Sequence, residues 1–384
     1  MGRAQRILVG GSPCGWGNLG EDAIVHPLVT RLKARLPEQN IGVMTCDFEW
    51  ISKLWQVRPI GVEQRSYIRC FIWADKFIFS GSTMLSELHE HTTLLLSRSR
   101  LYRVPAMIHG AGMNELSPSA DRDALVDACN YVRVITTRDR ATAERLRRIG
   151  VTEPIILATA DPAIACVASD EDQAFVDKLL ESYHISLAQP TVGVGITFHP
   201  GYESHLPPLA VFAQALEYIA SKDHNLLFVP SEVNFGHDTW MHMRILNLMK
   251  DKRGVHMMCE KLTPGQMVAL HSRLKCFVGT RLHQIIICTA GGTPVLAMDR
   301  DEKVTNFLAR LDQPSVSKPK DLQPGQLENA FDELVVHYDE QKTRVIAKRD
   351  EMRRFESVNE QVMDAFLGGK KRDYFAEQFA DYCV

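Results

Sequence analysis

The sequence has no CxxC pair: its nine cysteines, an odd number, stand singly from Cys14 to Cys383. That spacing excludes a disulfide framework and offers no structural zinc site. No apolar run is long enough to cross a bilayer, and Met1–Arg6 leads straight into a short strand without the core of a signal peptide. There is no excess of one charge either, with a formal net charge of -3 and mixed signs throughout, so a nucleic-acid partner is not expected. Repeats and low-complexity tracts are missing as well. What remains is a folded, water-soluble chain, and reduced cysteines inside apolar runs such as Ile285–Cys288 fit a cytoplasmic location.

At 384 residues the chain exceeds the size of one core, so two domains are expected. Short β-type runs alternate with amphipathic helical stretches, the pattern of an α/β protein with parallel sheets. In the first half, strands are expected at Arg6–Gly11, Ile41–Cys46, Lys76–Ser80, Ala106–His109, Val132–Thr136 and Ile155–Ala158. A helix over Asp22–Leu36 carries the stripe Ile24, Leu28, Leu32 and Leu36, and another over Arg138–Ile149 is closed by Gly150. A second set of strands follows at Thr191–Ile196, Asn225–Val229, Gly254–Met258, Lys275–Gly279 and Val295–Met298. These patterns predict a Rossmann-like domain over 1–188, a second over 189–323, facing the first across a cleft, and a helical tail over 324–384 packing on both. Ligands of such sheets lie at the C-terminal ends of the strands.

Two segments at those ends carry candidate chemistry. The loop Gly10–Asp22 is rich in glycine, so its backbone can approach a ligand closely, but it matches neither a dinucleotide fingerprint nor a Walker loop. Asn18, Glu21 and Asp22 are its polar groups, with a plain turn capped by Asp22 as the other reading. In Gly279-Thr280-Arg281-Leu282-His283 a strand gives way to a helix. Backbone amides and a guanidinium there suit a phosphate or carboxylate, and His283 is placed to exchange a proton with it. The alternative is a capped helix with a surface arginine and a core histidine. Lys303 follows the next strand and reads either as a solvated lysine at a helix start or as a group that reaches the same cleft. Ser82, His109 and Asn114 also follow expected strands, whereas His89 and His91 read as surface residues of a helix rather than metal ligands.

The ordered set of motifs resembles the polysaccharide pyruvyltransferases over roughly residues 5–310. The loop Gly17–Ile24 is similar to the family's Asn-x-Gly-Asp-x-x-Ile opening with a Glu inserted. Gly81-Ser82-Thr83 stands at a glycine-rich turn, and His109-Gly110-Ala111-Gly112 resembles a Gly-Gln-Gly segment. Thr137–Ala141 with Leu146 and Gly150, then Asp161-Pro162-Ala163, follow the family's order. Arg281-Leu282-His283, Gly291–Pro294 and Lys303 match its Arg-Leu-His, Gly-x-Pro and Lys pattern.

The resemblance implies a GT-B-like fold and transfer of a pyruvyl group from phosphoenolpyruvate to two saccharide hydroxyls, with no cofactor and no metal. Carried onto this sequence, His283 is the acid and Glu21 or Asp22 a base. Gly279, Thr280, Arg281, Leu282 and Lys303 form the donor seat. His199 stands where relatives show a donor arginine, and Asn18, Ser82, His109 and Asn114 line the acceptor side. Histidine at 109 and Ser82-Thr83 in place of glycines point to an altered acceptor pocket. Two other readings stay open: a GT-B glycosyltransferase with a nucleotide-sugar donor, and a non-catalytic binding homologue. The acceptor and the oligomeric state are not legible in the sequence.

Overall fold

The computed structural model describes residues 4–384 apart from 82, 187, 198–208 and 234–235. It divides into two compact units, one of Met1–Trp16, Glu21–Ala165 and Met352–Val384, the other of Gly17–Gly20 and Cys166–Glu351.

The first unit holds a seven-stranded sheet in the order β3-β2-β1-β4-β5-β6-β7. Its strands are β1 (Ile7–Cys14), β2 (Ile41–Thr45), β3 (Arg58–Gly61), β4 (Lys76–Ser80), β5 (Ala106–Ala111), β6 (Val134–Thr137) and β7 (Ile155–Ala158), all paired in parallel. Side chains alternate across it. Leu8, Phe77, Phe79, Ile108, Ile135 and Ile156 enter one core, and Ile7, Val9, Ile78, Met107, Val134 and Leu157 enter the other. Because helices cover both faces, the strands read as unbroken apolar runs. The helix Leu19–Lys33 supplies Val25, Leu28, Val29 and Leu32 to the second core, and the end of the chain adds Val358, Val362, Phe366, Phe375 and Phe379. Strand β3 was not expected: Arg58-Pro59-Ile60-Gly61 has no alternation, and its proline is tolerated because β3 lies at a sheet edge.

The second unit holds five parallel strands in the order β10-β9-β8-β11-β12. They are β8 (Thr191–Gly195), β9 (Asn225–Phe228), β10 (Val255–Met257), β11 (Cys276–Gly279) and β12 (Val295–Ala297). Each falls within an expected strand. The division of the chain lies between Ala165 and Cys166, ahead of the expected 188/189. The helix Asp170–Ser182 accounts for this, since Arg273 of the second unit bonds Asp177 Oδ1 at 2.6 Å and the Gln173 carbonyl at 3.1 Å. The tail is shared out. In the helix Tyr338–Leu367, Lys348 pairs with Asp312 of the second unit at 2.5 Å, whereas Glu356 pairs with Arg31 of the first at 2.6 Å.

Candidate functional site

Strand β11 lies between β8 and β12, and the chain leaves it through Thr280. Thr280 is fully buried and ties the two strand ends together. Its amide donates to the Gly195 carbonyl at 3.2 Å, and its hydroxyl donates to the Thr197 carbonyl at 3.0 Å while accepting from the Thr197 amide at 2.9 Å. The helix Leu282–Ala290 starts directly afterwards with Arg281 as its N-cap, and no side chain caps it. Its first-turn amides therefore face outward as a partial positive charge. Leu282 and Gln284 are buried, and the Gln284 amide donates to the Val229 carbonyl at 2.7 Å, which fixes the helix start over the sheet.

The Arg281 side chain, 18% exposed, lies along two carboxylates. Nε and Nη2 donate to Asp238 Oδ1 at 3.1 and 2.7 Å, and Nη2 also donates to Glu232 Oε2 at 2.8 Å. Nη1 donates to no described residue. Asp238 opens the helix His237–Leu248, which turns out of the preceding loop through Gly236 at φ +70°. Burial opposes the charge of Asp238, but the Arg281 guanidinium outweighs it, and the Thr197 hydroxyl adds, so its pKa lies below the ordinary carboxylate value. Burial likewise opposes the Arg281 charge, yet Asp238 and then Glu232 raise its pKa above the ordinary value. One turn beyond Asp238, burial lowers the fully enclosed His242 to about 4.

The glycine-rich loop joins this group. Asn18 forms an antiparallel bridge with Glu232, with the Leu19 amide on the Ser231 carbonyl at 2.9 Å and the Val233 amide on the Gly17 carbonyl at 3.1 Å. The Asn18 side chain accepts from the Gly20 amide at 3.0 Å. Gly20 then meets the His283 ring so closely that a methyl group there would stand 2.3 Å from Nδ1. Asn18, Gly20, Glu232, Asp238, Arg281 and His283 thus form one constellation within the second unit. Glu232 and Asp238 were not singled out from the sequence. Their one signal is position, since both follow β9 at the end of the sheet where β11 also ends.

The remaining candidates lie elsewhere. Lys303 begins the helix Glu302–Arg310 beyond β12, at the same sheet end as Arg281, with the Asp301 carboxylate 3.8 Å away. His199 and Ser82 lie outside the described residues. Asn18, expected on the acceptor side, groups with the expected donor residues, while Glu21, Asp22, His109 and Asn114 belong to the first unit. There Glu21 accepts from the Ser12 hydroxyl at 2.7 Å. Asp22 accepts from the Gly15 amide at 2.9 Å and from Trp50 Nε1 at 2.8 Å, which gives both carboxylates the work of shaping the loop. Asn114 donates to Glu87 at 3.0 Å.

His109 corrects an expectation. It follows Met107 on the covered face of β5 and is 0% exposed, so in this conformation its ring meets no saccharide hydroxyl. Burial, with the Arg31 charge adding, depresses its pKa to about 3 and leaves it neutral. Among the described residues no three His, Cys, Asp or Glu side chains are grouped to hold a metal ion, and no helix is long and apolar enough to cross a membrane.

Two parallel α/β sheets, with a polar constellation at the strand ends of the second, define a GT-B-like enzyme, and solved structures agree on the fold. The MnaA–UDP complex from S. aureus is 12% identical with a TM-score of 0.63, covering 89% of this chain and 90% of that one. The UDP-GlcNAc 2-epimerase from Neisseria meningitidis bound to UDP-GlcNAc is 12% identical with a TM-score of 0.62, covering 94% and 99%. Alr3699/HepE from Anabaena in complex with UDP-glucose is 13% identical with a TM-score of 0.62, covering 95% and 100%. No curated protein matches the chain. The chain belongs to the polysaccharide pyruvyl transferase family, whose model matches residues 18–302. It is therefore a transferase that modifies saccharides.

Proposed function

We propose that the protein transfers a pyruvyl group from phosphoenolpyruvate to two hydroxyls of a saccharide, forming a cyclic ketal and releasing phosphate. The observation that carries this reading is the placement of Arg281 and His283, both half-buried, at the start of one helix, with the guanidinium anchored by Asp238 and the imidazole seated against Gly20. An anionic donor would lie on the amides of that helix start and on the guanidinium of Arg281, with Lys303 reaching in from the neighbouring strand end. Gly279, Thr280 and Leu282 shape the seat through backbone and packing. Protonated His283 gives its proton to the enol methylene, and the resulting oxocarbenium-like carbon is attacked by the first hydroxyl, whose proton restores His283. Phosphate leaves as the second hydroxyl closes the ring, and that proton departs with it. Asn18 is a contact for the acceptor beside His283.

The test is ligand binding followed by turnover. Phosphoenolpyruvate should raise the melting temperature, because a ligand of the folded state stabilises it, and Arg281→Lys should abolish the rise. His283→Asn should keep the rise and lose phosphate release with a competent acceptor. Stabilisation by nucleoside diphosphates alone would overturn the reading in favour of a nucleotide-sugar donor.

A further inference from the structure

The charge on Arg281 is already matched. Asp238 and Glu232 both rest on it, so the trio carries one negative charge in excess before any ligand arrives. A donor bearing a phosphate and a carboxylate would meet like charge at this point, and one of the two protein carboxylates must give way.

The two are not equivalent. Asp238 is 2% exposed and fully committed: Oδ1 takes both Arg281 bonds, and Oδ2 takes the Ser231 amide at 2.9 Å and the Glu232 amide at 3.2 Å. Removing it would cost all of these hydrogen bonds and leave Arg281 with Glu232 alone. The Glu232 side chain is 17% exposed and holds Arg281 through a single bond, and Oε1 has no partner among the described residues. Its backbone, by contrast, is fixed by the bridge to Asn18, so the side chain can swing away while the loop stays in place.

We propose that Glu232 is an internal competitor for the donor. In the free protein its carboxylate occupies the place on Arg281 that an anionic group of the donor takes, and its displacement sets donor affinity. It is a positioning residue and takes no part in bond making. Any anion that takes this place must displace the same tethered carboxylate, so Glu232 weakens the seat for each such ligand by a common factor. Asp238 stays behind as the anchor that aims the guanidinium. This inference rests on the reading that an anionic donor binds at Arg281.

The test uses calorimetric titration of the full chain with phosphoenolpyruvate, inorganic phosphate and acetate. In Glu232→Gln the carboxamide oxygen can still accept from Nη2 while the charge is gone. Phosphoenolpyruvate and phosphate should then bind about tenfold tighter, and acetate should gain no more than they do, because a charge at contact distance in a partly screened site is worth at least that factor. Glu232→Ala should tighten binding in the same direction. Asp238→Asn should loosen it, which a general softening of the loop would not produce in opposite signs. Unchanged or weaker dianion affinity in both Glu232 variants, with the wild type binding normally, overturns the proposal. Absence of dianion binding in the wild type and in both variants overturns the donor reading itself, and this inference with it.

Discussion

His109 and His283 each stand just past the middle of a parallel sheet, one in each unit, and each sits in a segment with the same family likeness. Their surroundings differ completely. His109 is sealed on a face covered by the helix Leu19–Lys33 and the end of the chain, within the fields of Arg31 and Asp161. His283 lies at a helix start against a glycine and beside an arginine, one of whose carboxylate partners, Glu232, remains partly exposed. The first unit closes His109 into a core, whereas the second leaves His283 half-buried at a helix start. Enclosure, more than residue type, separates these two histidines.

Acid should break the two units unequally, and this is the largest effect expected. Burial holds His109 at about 3 in the first unit, and His242 at about 4 and His271 at about 3 in the second. An unfolded histidine titrates near 6.5. Because the folded values lie below the unfolded one, the unfolded chain takes up protons first as the pH falls. Stability from these groups is complete above about pH 6.5 and is lost on the way down toward 3–4. Each buried ring costs about 1.4 kcal/mol per pH unit in that window. Between pH 6.5 and 5 the first unit loses about 2 kcal/mol from His109 and the second about 4 kcal/mol from its pair. Hydrogen exchange at pH 7 and 5, corrected for intrinsic rates, should show earlier opening of 209–290 than of 106–158. His271→Leu should remove about half of the second unit's loss. Equal opening in both regions would contradict the assignment.

The ion pairs sharpen the same contrast. Glu356, 1% exposed, receives Arg31 in a two-pronged pair at 2.7 and 2.6 Å. Cutting it with Glu356→Ala removes both prongs and leaves Arg31 only the more exposed Glu360, 3.3 Å from Nε, and a loss of about 3 kcal/mol is expected for the first unit. Anion binding at Arg281 should persist. The matching cut in the second unit, Glu232→Ala, should cost no more than about 1 kcal/mol, since its partner keeps Asp238 and the site is partly solvated. Urea midpoints of the two variants read this difference directly, and similar midpoints would show that burial does not separate the pairs.

Much of the architecture was legible because parallel strands covered on both faces announce themselves as apolar runs, as in Lys76–Ser80 and Thr191–Gly195. Arg58–Gly61 carried no such run and was invisible. Gly150, with φ +112°, closes its helix as its sequence position suggested. The division at Ala165 was not legible, since it depends on Arg273 reaching Asp177, 96 residues away. The site shows the same limit. Arg281 and His283 could be found from local spacing at a strand end. Glu232 and Asp238 could not, because what identifies them is contact with a residue 49 and 43 positions distant. His109 misled because alternation in β5 tells only that it faces away from Ile108, and both faces of this sheet are covered.

Gly20 offers the finest discrimination between the units. A methyl there would fall 2.3 Å from His283 Nδ1, so Gly20→Ala must push the imidazole aside. The ring is the far end of a rotatable side chain, and alanine suits a helix better than glycine, so the melting temperature should change little. Turnover should fall about 100-fold, close to 3 kcal/mol in the barrier, because a displacement near 1 Å at a proton donor has that consequence. Donor affinity, governed by Arg281, should hold. In the first unit Gly112→Ala makes a comparable intrusion, 2.4 Å from Arg138 Cζ, and should leave turnover unchanged. The double variant Gly20→Ala with His283→Asn decides the cause. If the methyl acts only through the imidazole, the second change adds nothing to the loss already caused by His283→Asn. Additive losses would mean that the loop touches the reaction by another route and that His283 does not depend on Gly20 for its position.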